Sequence, residues 1–140
     1  MIVQVLSNVF KFPFLSKATK GSSGYDLNIG IPHTYCYTMK PKEIKVFPTG
    51  ITLRLAYGYE GQIISRPSLA LFCGIVVLNQ SATVGRGTLH IELINMTSNP
   101  ITLYHGDFVA QIIFQQVAAP IFVNKYQTIS FQRKQNTEFE

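Results

Sequence analysis

Residues 88–94, Thr-Leu-His-Ile-Glu-Leu-Ile, alternate polar and apolar without a break. In an extended chain successive side chains point to opposite faces, so Leu89, Ile91 and Leu93 share one face and His90 and Glu92 the other. A helix would scatter these residues around its axis, so the pattern reads as a half-buried strand. Residues 43–47 (Glu-Ile-Lys-Val-Phe) and 51–55 (Ile-Thr-Leu-Arg-Leu) repeat it on either side of a Pro48-Thr49-Gly50 turn. Strands are also predicted at 2–6, 24–29, 35–38, 62–65 and 101–104, which are rich in β-branched and aromatic residues. Residues 74–78 form an apolar run, and 108–114 (Phe-Val-Ala-Gln-Ile-Ile-Phe), apolar on both faces, should be a central strand.

Turn chemistry separates these runs. A Lys/Ser/Gly-rich loop covers 13–23, glycines punctuate 56–61, a polar loop ends at Pro100, and His105-Gly106-Asp107 makes a tight turn. Short strands about 8–12 residues apart predict an all-β jelly roll or distorted β-barrel. Only Leu69-Ala70-Leu71-Phe72 carries a helix signal, read as a short buried helix. A chain of 140 residues, 46% hydrophobic and 14% charged, fills one core. That domain is expected over 1–125, with 126–140 an extended arm or mobile tail.

The charge balance narrows the partners. A formal charge of +5 favours anionic ligands such as nucleotides, while the scattered basic residues lack the block expected of a specific nucleic-acid binder. No apolar run reaches the roughly 18 residues of a membrane span, and the amino terminus has no basic lead-in, so an intracellular, soluble chain without signal peptide is expected. Cys36 and Cys73 lie far apart in apolar stretches and are predicted to be reduced core residues. His33, His90 and His105 are scattered and predicted to sit on the surface or on strand faces, and Tyr57 and Tyr59 read as turn packing.

One stretch carries chemistry. Arg66-Pro67-Ser68 stands where the short helix begins, and helix N-termini offer unpaired N–H groups and partial positive charge to an anion such as phosphate. The structural alternative is that Arg66 and Ser68 cap the helix. Asp26, after Gly24-Tyr25, can bond its own loop. Gln111, inside an apolar strand, must bond something, in the core or on a ligand.

Gly21-Ser-Ser-Gly-Tyr-Asp-Leu27, Pro48-Thr-Gly-Ile51, Tyr59-Glu-Gly-Gln-Ile-Ile-Ser-Arg-Pro-Ser-Leu-Ala70, Gly87-Thr-Leu-His-Ile-Glu-Leu-Ile-Asn95 and Gly106-Asp-Phe-Val-Ala-Gln111 follow one another in a telling order. Together they resemble the motif series of trimeric dUTPases over roughly 17–117, a fold shared more loosely with dCTP deaminases. The resemblance implies a jelly-roll subunit, a homotrimer with sites at subunit boundaries, and Mg²⁺-dependent hydrolysis of dUTP to dUMP and pyrophosphate. By the same resemblance Asp26 holds the metal through water, Arg66 and Ser68 bind phosphate oxygens, and Gln111 helps hold the phosphates.

The chain departs from that family at three places. The family's water-activating aspartate falls at Ala82 or Thr83, depending on the direction of alignment, and Gly85 stands at the tyrosine that packs on the sugar. Pro67 removes one N–H donor from the helix start. The glycine-rich carboxy-terminal lid is absent; Arg133 and Phe139 stand there without glycines. A positioned general base is typically worth about 10²–10⁴ in rate. The sequence therefore predicts a non-catalytic homotrimer that binds a protein partner or, weakly, a nucleotide, with no cofactor and no catalytic residue. The alternative is an active dUTP diphosphatase using Mg²⁺ and a carboxylate from elsewhere, such as Glu92 or Asp107.

Overall fold

The alternating segments pair as antiparallel strands in the computed structural model, which describes residues 1–13, 24–78, 82–84 and 86–124, with 82–84 as backbone. The strands are β1 (Val3–Asn8), β2 (Gly24–Asn28), β3 (Cys36–Met39), β4 (Ile44–Leu55), β5 (Tyr59–Ser65), β6 (Ile75–Val77), β7 (Ala82–Val84), β8 (Arg86–Asn95), β9 (Ile101–Tyr104) and β10 (Phe108–Gln116). One four-stranded sheet runs β1-β4-β8-β6, a second β2-β10-β5-β7, and β3 pairs with β9. The fold is the expected jelly roll, with open sheets in place of a closed barrel. No helix among the described residues is long and apolar enough to cross a membrane.

The inward faces of the two sheets make the core. Leu89, Ile91 and Leu93 are buried as their alternation requires, against Leu53 and Val77 of the same sheet and Leu27, Ile63 and Ile112 of the other. Burying a side chain of this size stabilises by about 1.5–3 kcal/mol, so this face holds the sheets together. β10 is central in its sheet, as its two apolar faces predict.

Five local expectations change. Residues 43–47 and 51–55 form one strand, β4, and the Pro48–Gly50 turn becomes a bulge where the β4–β8 register shifts between Pro48 and Thr52. Gly50 takes φ +72°, and Thr49 ties the bulge by donating to the Leu89 carbonyl at 2.8 Å. The bulge absorbs two extra residues, 49–51 standing opposite Leu89 alone, and lets pairing resume beyond it. Residues 82–84, carrying no strand signal, form an edge strand on β5.

The predicted buried helix is a single π-type turn, Leu69–Cys73, with no buried residue; Leu71 and Phe72 are 77% and 81% exposed. Its apolar composition misled because Leu69 alone of the turn packs against the core, while Leu71 and Phe72 stay exposed. Cys36 and Cys73 are free thiols as expected, but exposed rather than in the core. His105 is no isolated surface residue. Its Nδ1 accepts the Ile31 N–H at 2.8 Å, and its ring packs on Phe10, Phe12 and Tyr35 at 4.9–5.3 Å between centroids. The arm or tail at 126–140, with Arg133 and Phe139, lies outside the described residues, as do residues 21–23 of the first motif.

Candidate active site

The second sheet brings the predicted residues together across its strands. Asp26 of β2 pairs with Gln111 of β10, and Gln111 pairs with Ile64 of β5, so the three share one row on one face. Arg66 follows β5 directly. Its Nη1 donates to the Phe108 carbonyl at 3.0 Å, and its Nε lies 3.9 Å from Asp26 Oδ1. That approach is an ion pair but too long for a hydrogen bond. Asp26 Oδ1 is buried and makes no hydrogen bond, leaving a hard oxygen acceptor beside a guanidinium.

The pedestal under Arg66 is Ser65, whose Oγ accepts the Val77 N–H at 2.9 Å and so joins β5 to β6. Gln111 is shaped by a glycine. A Cβ on Gly24 would lie 2.0 Å from Gln111 Oε1, so only glycine leaves room for that amide. Sequence reasoning missed Phe108, Ser65 and the reason for Gly24. The β10 register shift between Phe108 and Ala110, which accompanies the Phe108 contact, has no local sequence signal.

Ser68 is exposed and does not act as a cap; it has helical angles (φ −64°, ψ −40°) and no capping hydrogen bond. Its hydroxyl therefore remains available to a ligand. A five-residue turn aligns too few peptide dipoles to make an anion site by itself. Any anion bound here would have to be held by side chains, of which Arg66 and Ser68 are the nearest to the turn.

The β7 backbone, with Ala82 opposite Gln62 and Thr83 opposite Gly61, forms the other edge of the sheet. In the order β2-β10-β5-β7 it stands three strands from Asp26, roughly 14 Å at about 4.8 Å per strand. One phosphate group cannot touch both edges of one subunit. Among the described residues no three His, Cys, Asp or Glu side chains form a metal cluster. A metal here would take few ligands from the chain.

The dUTPase family profile matches residues 11–140. A deoxyuridine 5'-triphosphate nucleotidohydrolase of Neorickettsia sennetsu is 39% identical over 76% of this chain and 72% of its own length. The chain belongs to the dUTPase family. A second nucleotidohydrolase of the same name, from Caldanaerobacter subterraneus, is 35% identical over 77% of this chain and 74% of its own length. Among solved structures, a mutant dUTPase from phage phi11 of S. aureus, described with a structural Mg(II) ion, superposes with a TM-score of 0.74 at 16% identity over 89% of this chain and 96% of that one. The Staphylococcus bacteriophage 80alpha dUTPase with dUPNHPP superposes with a TM-score of 0.73 at 17% identity, covering 88% of this chain and 87% of its own. Both carry the fold of this family member.

These relatives overturn the expectation of a non-catalytic chain. Sequences 32–39% identical over most of its length are named as nucleotide hydrolases, so similarity runs with enzymes. Where the proton of the attacking water goes is a separate question, since residues 82 and 83 lie across the sheet from Asp26 within one subunit.

Proposed function

We propose that this chain hydrolyses dUTP to dUMP and pyrophosphate with Mg²⁺, as a homotrimer whose sites lie between subunits. The observation that carries the reading is the row Asp26–Gln111–Ile64 with Arg66 at its end, held by the Phe108 carbonyl. A guanidinium fork matches phosphate oxygens, and anchoring one nitrogen fixes the fork before substrate arrives. Ser68 and the Gln111 amide add neutral donors. Asp26 fits Mg²⁺ as a hard oxygen ligand, directly or through water, because Oδ1 is free of hydrogen bonds. When bound, the ion neutralises charge on the phosphate oxygens.

The proton of the attacking water is assigned to Asp107. Its Oδ2 accepts the Tyr104 N–H at 2.8 Å, and the next residue's carbonyl anchors Arg66. Glu92 belongs to β8 in the other sheet. Subunit association is supported by the separation of the sheet edges and by the exposed Leu71 and Phe72, apolar surface that a neighbouring copy would cover.

Pyrophosphate release from dUTP with Mg²⁺ tests the activity, with turnover expected within roughly 1–10³ s⁻¹; background rates would refute it. Asp107→Asn keeps an oxygen for Tyr104 N–H yet cannot take a proton, so it should lower turnover by about 10²–10⁴ without unfolding the chain. Parent-like turnover in that variant would assign the base elsewhere. Light scattering should give three times the chain mass, and a monomer would remove the shared site.

A further inference from the structure

The outer face of the first sheet carries a charge arrangement the hydrolytic site does not use. Arg54 of β4 pairs directly with Arg86 of β8, and both are exposed. The next pair on that face, Thr52 and Thr88, joins hydroxyls at 2.8 Å, so the two arginines leave the sheet side by side. Like charges opposed on paired strands destabilise the sheet, and an anion between them removes the penalty. On the other flank Gln4 of β1 pairs with Arg54. Arg54, Gln4, Ile2, Leu55, Ala56 and Tyr57 line a groove of about 370 Å³. Tyr57 is fully exposed and Ile2 is 76% exposed, an apolar wall beside a cationic one.

Every described carboxylate is already engaged. Asp26 faces Arg66, Glu43 accepts from Tyr37 and Lys40, Glu60 Oε1 accepts from Gln115 at 2.5 Å, Asp107 accepts from Tyr104, and Glu92 has a partner. The chain has seven acidic residues, and the other two, Glu138 and Glu140, flank Phe139. The carboxy-terminal segment also leaves the sheet beside the groove: the Val117 N–H donates to the Gly58 carbonyl at 2.7 Å, next to Tyr57.

We propose that Glu138-Phe139-Glu140 of the same chain docks in this groove, its carboxylates on Arg54 and Arg86 and its ring against Tyr57 and Ile2. From Asn124, the last described residue, the tether to Glu138 spans at most roughly 50 Å at 3.3–3.6 Å per residue, a length that lets it turn back toward the sheet. Covalent linkage of this length presents Glu138 to the groove at an effective concentration on the order of millimolar, so weak contacts suffice. The docking is electrostatic and exposed, and salt should release it.

The test is the amide heteronuclear NOE of Phe139 in the full chain at low salt. A positive, sheet-like value is expected in the parent, with loss to the negative values of a free tail in Arg54→Ala/Arg86→Ala, in Glu138→Gln/Glu140→Gln, and in salt of about 0.5 M. The glutamine pair leaves the sheet untouched, so its result does not depend on folding of the arginine variant. A free-tail value in the parent, or an ordered value that survives both pairs of substitutions, overturns the proposal. Ordering that disappears on dilution to separated subunits also overturns it, in favour of docking between copies.

Discussion

Arg66 and Arg54 stand on opposite sheets and in opposite situations. Arg66 has one nitrogen on the Phe108 carbonyl and a carboxylate 3.9 Å away, so its position is set before any ligand arrives. Arg54 faces another arginine and ends in solvent beside a groove. A cation fixed by neutral and acidic groups is prepared to orient a substrate. A cation opposed by its like is prepared to accept a partner and loses little when that partner leaves.

Substitution breaks this contrast most sharply at Arg66. Arg66→Ala should lower dUTP turnover by about 10²–10³, the scale for removing one transition-state donor, while Arg54→Ala leaves turnover within about twofold. Pyrophosphate release under saturating substrate separates the two, and equal losses would erase the distinction. Arg66→Lys keeps the charge but not the fork, and its rate should fall between those of the parent and the alanine variant.

Gly24→Ala sharpens the same side of the comparison. The new Cβ meets Gln111 Oε1 at 2.0 Å, so the amide must leave its place against residue 24. KM for dUTP should rise about tenfold, with a stability cost of about 1–3 kcal/mol from overpacking. Unchanged KM with lowered stability would leave Gln111 a packing residue.

On the other side the effect is smaller. With Glu138 and Glu140 neutralised to glutamine, Arg86→Ala should raise stability by about 0.2–1 kcal/mol through relief of the Arg54–Arg86 opposition. Urea titration at low and high salt checks it, since screening should remove the gain.

A charged contact remote from both arginines supplies the control. Tyr37 donates its hydroxyl to Glu43, which also accepts the Lys40 N–H. The Tyr37 hydrogen bond, then Lys40, holds the Glu43 carboxyl below its ordinary 4.5, so this contribution is present above pH 4.5 and lost as pH falls through the lowered value. The same bond raises the Tyr37 phenol above 10.0; its contribution is complete below pH 10 and lost as pH rises through the raised value. Tyr37→Phe should flatten both shoulders of stability against pH while leaving turnover unchanged.

Much of this molecule was legible in the chain. Alternation at 88–94 specified which residues would be buried, because a strand's side-chain period is two whatever it pairs with. The ordered motifs named Asp26, Arg66, Ser68 and Gln111, and the structure gathers three of them at one edge of one sheet, with Ser68 exposed at the start of the adjoining turn. One failure has a clear cause: Leu71 and Phe72 look like core, yet exposure depends on what packs on them.

Local composition and period determined the all-β class, the strand positions and the motif set, since these follow from side-chain size and backbone preference within a few residues. Tertiary structure alone decided that Asp26 stands opposite Gln111, that the Phe108 carbonyl holds Arg66, and that Arg54 meets Arg86. Each of these joins segments 32 or more residues apart. Such pairings depend on register, and a shift of one residue would turn every one of these side chains to the other face.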